Sequence, residues 1–254
     1  MSLLRPKHPR RPQPNIFAIL IAMLAFLCLP ALFAFAHADV VPETARSRAV
    51  YAAQEAPIRA ALAEKGLTLG SPVFLQITKQ PGEVTAFVRD EEGRFQPFRT
   101  WPVCAVSGGL GPKMREGDFQ APEGFYKVKP AQMNPASSFH LSFNLGYPNA
   151  FDRAAGRTGS FLMVHGACAS VGCFAMTDEG IEEIWTLMQA AFEGGQAGVD
   201  VHIFPFPLTD ANLVAHSASE HAGFWQGLKP GWDKFAQTGA PPAISVRNGA
   251  YQVR

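Results

Sequence analysis

The run His165-Gly166-Ala167-Cys168-Ala169-Ser170-Val171-Gly172-Cys173 places an imidazole, a hydroxyl and two thiols within nine residues. A thiol attacks an electrophile only as its thiolate, so a working cysteine needs a proton acceptor and a positive field. His165 can be the acceptor. The helix-start signal Thr177-Asp178-Glu179, just downstream, is expected to supply the field through the N-terminal end of a helix dipole. Cys173, directly after Gly172, is the candidate nucleophile. Spacing alone leaves two other readings open, because free cysteine is often simply buried and His-x-x-Cys can ligate zinc.

Compartment bears on that choice. Met1 to Pro14 carries Arg5, Lys7, Arg10 and Arg11 and no acid, and Ile16 to Ala36 carries no charge. Pro30 interrupts the apolar run, so its best core, Ile16 to Leu29, has the length of a signal-peptide h-region, and Ala36-His37-Ala38 fits the small-x-small cleavage pattern. The expectation is a signal peptide over 1–38 and a mature start at Asp39, or else an uncleaved anchor with its positive end inside. Leu27 before Cys28 is not the small residue a lipid-attachment site wants. Export leaves Cys104, Cys168 and Cys173, an odd count that keeps at least one thiol free in an oxidising compartment. With Cys173 reserved as that thiol, Cys104 and Cys168 are left to pair. Loss of the leader leaves 18 basic against 21 acidic residues, a net charge of −3, which excludes a nucleic-acid binder.

The elements that must hold the motif follow from periodicity. Glu43 to Lys65 reads as a helix with Val50, Ile58 and Leu62 as apolar points, part of a helical lead-in over 39–70 that lies across a sheet edge or acts as a spacer. From Ser71 the period becomes two, and turns at Gln80-Pro81-Gly82-Glu83 and Asp90-Glu91-Glu92-Gly93 give an antiparallel meander to Val103. Ser107 to Lys113 is a glycine-rich loop that walls a cleft, with no phosphate-loop signature. Phe139 to Gly146 alternates as a half-buried strand whose polar face carries His140. A loop runs from Tyr147 to Gly159, and Phe161 to Val164 is a strand delivering His165. Thr177 caps a helix over Asp178–Glu193 with Ile181, Ile184, Leu187, Met188 and Ala191 on one face. Val199 to Phe206 returns as a strand in which His202 is structural. Residues 207–254, with Trp225, Trp232 and Phe235 near helical spacing and a hairpin from Ile244 to Val253, form an extension packed on the main domain. The fold class is mainly β with peripheral helices, α+β.

With those residues in hand, the sequence resembles the L,D-transpeptidase catalytic domain (YkuD-type), and within it the YafK-like branch. The resemblance spans about 71–206 and rests on Pro122 to Gly124, Tyr147-Pro148-Asn149, His165-Gly166 and Ser170-x-Gly172-Cys173. It implies a β-sandwich domain in the periplasm that acts on peptidoglycan stem peptides without a cofactor or metal. Cys173 would attack the carbonyl of diaminopimelate, His165 would manage the proton, and backbone N–H groups near Gly172 and Cys173, in a site shaped by Ser170 and Gly166, would hold the oxyanion. A thioester would then pass to an amine or to water.

Two departures qualify this. Val171 stands where the commoner motif has histidine, and Ala175 stands where it has arginine after the cysteine; the loop from His165 to Cys173 is also short. Substrate carboxylates must therefore find other anchors, with Lys113, Arg115, Arg153 and Arg157 as candidates and His140 and Tyr147 as further substrate-binding residues. The departures favour net hydrolysis that releases a wall-attached lipoprotein or outer-membrane protein. The alternatives are a non-catalytic wall-binding module of the same fold, or a metal protein using His165, Cys168 and Cys173, or Cys104 in place of one of them.

Overall fold

The computed structural model describes residues 40–254; the expectations for the leader lie outside the described residues. Strands β1 (Val73–Lys79), β2 (Gly82–Arg89) and β3 (Phe95–Pro102) form the expected meander. The sheet continues on the other side of β1: β4 (Ala105–Val106) leaves it, β5 (Gly124–Val128) returns as its outer strand, and β10 (Val199–Phe204) fits between, parallel to β1, for an order β3-β2-β1-β10-β5. The second sheet runs β4-β9-β8-β7-β6, with β6 Met133–Asn134, β7 Ser142–Asn144, β8 Met163–His165 and β9 Phe174–Ala175. Leu75, Ile77 and Val84 of the first sheet share one core with Phe143, Val164 and Phe174 of the second. The architecture is α+β, as expected.

Helix α1 (Ala45–Ala63) is capped by Thr44, whose hydroxyl accepts from the Ser47 N–H. Its apolar points do not lie on a sheet edge. They pack, with Gln54 bonded to Glu182 at 3.1 Å, against the helix that follows the motif. That helix, Asp178–Glu193, is consequently buried on more than the one face its periodicity marks: Trp185, Thr186 and Gln189 are buried beside Ile184 and Met188.

Three stretches differ from expectation. The strand expected over 139–146 is reduced to β7, because His140 takes φ 64° and Arg46 Nη1 bonds the carbonyls of Ser137 and His140 at 3.0 and 2.6 Å, turning the chain before Ser142. The loop after Tyr147 contains helix α2 (Ala150–Ala154), which Asn149 and Asp152 close at its start through a reciprocal capping box. The 199–206 strand stops at Phe204.

The motif-following helix is α3. Beyond Pro207 come α4 (Asp210–Ala215), α5 (Ala222–Thr238) and the hairpin β11 (Ile244–Arg247) and β12 (Ala250–Val253). They cover the outer face of the first sheet, where Phe125, Phe204, Trp225 and Leu228 make a second apolar cluster. Gly231 is required there, since a Cβ would lie 2.4 Å from the Phe125 ring. A buried pair ties the layers together: Lys79 Nζ lies 3.1 Å from Glu123, whose other oxygen accepts the Trp225 indole N–H at 2.8 Å. Lys79 also donates to the Gly111 carbonyl at 2.7 Å, so the 107–113 loop is held from beneath.

Candidate active site

Strands β8 and β9 pair in parallel, with Val164 opposite Phe174 and His165 opposite Ala175. Val164 and Phe174 are fully buried in the core. Side chains alternate across a strand, so His165 and Cys173 belong to the opposite face together, one diagonal step apart. Cys173 Sγ accepts the Met163 N–H at 3.4 Å and reaches the Phe161 carbonyl at 3.8 Å. Cys173 is a free, half-buried thiol.

His165 is 4% exposed. Its Nδ1 lies 2.7 Å from the Gly166 carbonyl oxygen, which can only accept, so Nδ1 carries the proton and Nε2 keeps a lone pair. The Phe139 ring packs on the imidazole with centroids 4.8 Å apart. Gly166 allows this crowding: a Cβ would lie 2.5 Å from Asp178 Oδ1 and 3.0 Å from the His140 Cβ.

The connection from Gly166 to Cys173 is fixed at several points. Ala167 and Cys168 take positive φ (63° and 47°), and the Ala167 N–H is held by Asp178 Oδ1 at 2.8 Å. Cys168 is disulfide-bonded to Cys104, with Cα atoms 5.5 Å apart, and the Cys104 N–H donates to the Ala175 carbonyl at 2.9 Å. The expected pairing is thus present, and it clamps the loop to the neighbouring strand. It also removes both sulfurs as thiolate ligands; among the described residues no group of three His, Cys, Asp or Glu side chains is placed to hold a metal ion. Gly172, at φ 88°, makes the turn into Cys173, and Ser170 Oγ accepts from the Cys173 N–H at 3.0 Å while donating to its carbonyl at 2.6 Å.

Burial pushes the Cys173 thiol above its ordinary range; the Met163 N–H and the Lys113 charge oppose this without overcoming it. Burial likewise holds His165 below its ordinary value, against its Gly166 bond. The resting pair is therefore neutral thiol and neutral imidazole. The helix start anticipated at Thr177 is present: Thr177 Oγ1 takes the Gly180 N–H at 3.1 Å, and the carboxylates of Asp178 and Glu179 sit in the first turn, where they offset the dipole.

Most of the expected anchors are occupied within the fold. Lys113 is 3% exposed and bonded to Asp118 at 2.5 Å and to the Arg115 carbonyl at 3.0 Å. Arg157 is buried, paired with Asp152 at 2.9 Å and stacked over Phe151 and Phe224. Tyr147 is buried, its hydroxyl on the Lys113 carbonyl at 3.1 Å. His140 turns to Glu182 of α3 at 2.8 Å. Arg153 is exposed on α2, donates to the Pro148 carbonyl, and lines a different cavity. Only Arg115 of the six candidates stands on the exposed segment after Lys113 without a bond from its side chain among the described residues. The surroundings of the thiol are instead apolar: Phe139, Phe161 and Val171 are 47%, 73% and 73% exposed. Sequence reasoning missed this rim, although Phe139, Phe161 and Val171 flank or lie within the motif itself.

The family model for the L,D-transpeptidase catalytic domain (YkuD) matches residues 76–203. A curated relative from Escherichia coli (strain K12), "Putative L,D-transpeptidase YafK", is 48% identical over 185 residues, 73% of this chain and 75% of its own. Among solved structures, a point mutant of the helical cell shape determining protein Pgp2 from Campylobacter jejuni is 21% identical with a TM-score of 0.44, covering 68% of this chain and 62% of that one. The unmutated Pgp2 gives 17% identity and a TM-score of 0.43, covering 75% and 80%. Structural likenesses of that size carry no argument here; the family match and the 48% relative do.

Proposed function

The chain belongs to the L,D-transpeptidase catalytic-domain family, and from that membership we propose that it is an exported cysteine acyl-transfer enzyme acting on peptidoglycan stem peptides. The reading is supported above all by the parallel register of β8 and β9: with Val164 opposite Phe174, the free thiol of Cys173, just before Phe174, and the imidazole of His165, just after Val164, come to neighbouring positions of one strand pair.

In this reading Cys173 Sγ attacks the carbonyl carbon of diaminopimelate at its bond to the group that follows, and its proton passes to His165 Nε2. The oxyanion is held by backbone N–H groups at Gly172 and Cys173, the latter released from Ser170 as the intermediate forms. Collapse breaks the amide, the leaving amine takes the proton from His165, and a thioester remains on Cys173. Water, deprotonated by His165, then attacks the thioester and frees the thiol. The net reaction is hydrolysis that detaches a group carried by diaminopimelate, a wall-attached lipoprotein or outer-membrane protein among them. Ser170 and Gly166 position the pair without touching the substrate.

Incubation with a tetrapeptide stem containing diaminopimelate, quenched in acid and analysed by mass spectrometry, tests the proposal. A tripeptide acyl group is expected on the Cys173 peptide, and none on Cys173→Ala. Turnover that persists in Cys173→Ala would overturn it.

A further inference from the structure

On the far side of the first sheet from its core, β5, β10 and β11 line a half-open cavity of about 650 Å³. Neither Cys173 nor His165 is in its wall. The volume lies in the range that holds a small ligand.

His202 lines this cavity and is 1% exposed, yet its Nδ1 has no hydrogen-bond partner. The ring stands edge-on to Phe74 and Phe125, each with centroids 4.7 Å apart. Burial holds His202 down to about 3, so it is a neutral imidazole at physiological pH. Nδ1 is closed to solvent, which leaves Nε2, also without a hydrogen-bond partner among the described residues, as the ring nitrogen that a ligand in the cavity can meet.

The charges of the wall decide what that is. Lys127 and Asp200 lie 3.2 Å apart and cancel each other. Arg153 has no carboxylate partner among the described residues, and its one bond, to the Pro148 carbonyl, leaves further guanidinium N–H groups to donate. The wall therefore carries one uncompensated positive charge, suited to a carboxylate. The rest mixes polar groups, among them Asn149, Ser245 and Tyr251, with an apolar part that includes Phe125, Ile244 and Val246.

We propose that this cavity binds an N-acylated amino acid with an apolar side chain and a free carboxylate, as a small molecule or as the last residue of a peptide. The carboxylate meets Arg153, the amide meets His202, and the side chain lies against Phe125 and Ile244. The site is independent of the acyl-transfer reading.

Calorimetric titration of the whole protein with N-acetyl-phenylalanine, its uncharged amide, and a pentapeptide ending in phenylalanine tests this. Saturable binding of an acid is expected at a dissociation constant below about 1 mM, with the amide at least tenfold weaker, as loss of a charge-assisted bond implies. Arg153→Ala, a change at an exposed position, should weaken the acids by a similar factor at unchanged melting temperature. Tighter binding of the pentapeptide assigns the site to a chain end, and tighter binding of N-acetyl-phenylalanine to a small molecule. In 15N-histidine spectra the His202 ring signals should shift on saturation. Absence of saturable binding, equal binding of acid and amide, or an unmoved His202 signal would each overturn the proposal.

Discussion

Ser170 holds Cys173 by both of its main-chain polar groups, accepting its N–H at 3.0 Å and donating to its carbonyl at 2.6 Å. The same hydroxyl lies 3.1 Å from Ser107 Oγ, so the thiol is indexed to the glycine-rich loop across the cleft. Removing it frees the turn at Gly172 and leaves the sulfur poorly aimed. Ser170→Ala should lower kcat by about 10- to 100-fold, since small misplacements of a reacting group carry that cost, with KM little changed. An equal rise in KM would mean that Ser170 binds substrate and does not position the thiol.

The neutral pair at rest makes a pH prediction. A thiol whose folded value is raised is not ionised at low pH, so the rate of iodoacetamide alkylation of Cys173 should climb steadily above neutrality and show no plateau in the acid range. The raised value also favours the protonated thiol in the folded state, so this group's stabilising effect is present below the unfolded thiol value and is lost as pH rises through and beyond it. His165→Asn should reduce turnover by about 10²- to 10⁴-fold, the usual contribution of a general base, while slowing alkylation at high pH far less. An acid plateau that disappears in His165→Asn would instead identify a preformed ion pair.

The Cys104–Cys168 bond closes a segment with a sequence separation of 64. Loop-closure entropy for such a length is worth about 4 kcal/mol. Cys168→Ser should therefore unfold at markedly lower denaturant while Cys173 remains alkylatable in the folded protein. Turnover should fall in proportion to the freedom gained by the loop from Gly166 to Cys173. Denaturation midpoints that coincide for the reduced and oxidised protein would show that the bond from the Ala167 N–H to the Asp178 carboxylate and the main-chain bond from Cys168 to Met176 hold the loop unaided.

What the sequence made legible was local. His165, Ser170, Gly172 and Cys173 sit in one run, strand alternation was readable for β1 and β2, and Thr177 acts at the helix start it marked. The misreadings concern quantities that a linear chain does not carry. Arg157 and Lys113 looked available because their distance from Asp152 and Asp118 along the chain says nothing of burial, yet burial makes those partners obligatory. The helix start at Thr177 was legible, and so were the acids Asp178 and Glu179 that offset its dipole. Phe139 looked half-buried by alternation until Arg46, 93 positions earlier, turned the strand at His140 and laid Phe139 on His165. Lys79 with Glu123, and the unpaired ring of His202, are tertiary facts with no local signature.

The last prediction concerns what resolves the thioester. A transpeptidase must seat an amine-bearing stem peptide against the acyl group and keep water away, and charged anchors are the usual means. Here Lys113 is bonded to Asp118, Arg157 to Asp152, and Ala175 stands where an arginine was expected to follow the cysteine. Large exposed side chains at the motif are apolar: Phe161 and Val171, with Phe139 over the imidazole. Such a rim supports an apolar stretch of a leaving group, and it leaves Arg115 as the one unbonded anchor candidate for the charged end of an acceptor stem. Water should therefore prevail. With a tetrapeptide donor and a tenfold excess of acceptor stem, the released product should be mainly tripeptide, and Phe161→Ala should raise KM for a donor carrying an apolar leaving group while leaving the simple tetrapeptide nearly unaffected. Mainly cross-linked dimer would sink the hydrolytic reading, and an unchanged preference in Phe161→Ala would remove the rim from substrate selection.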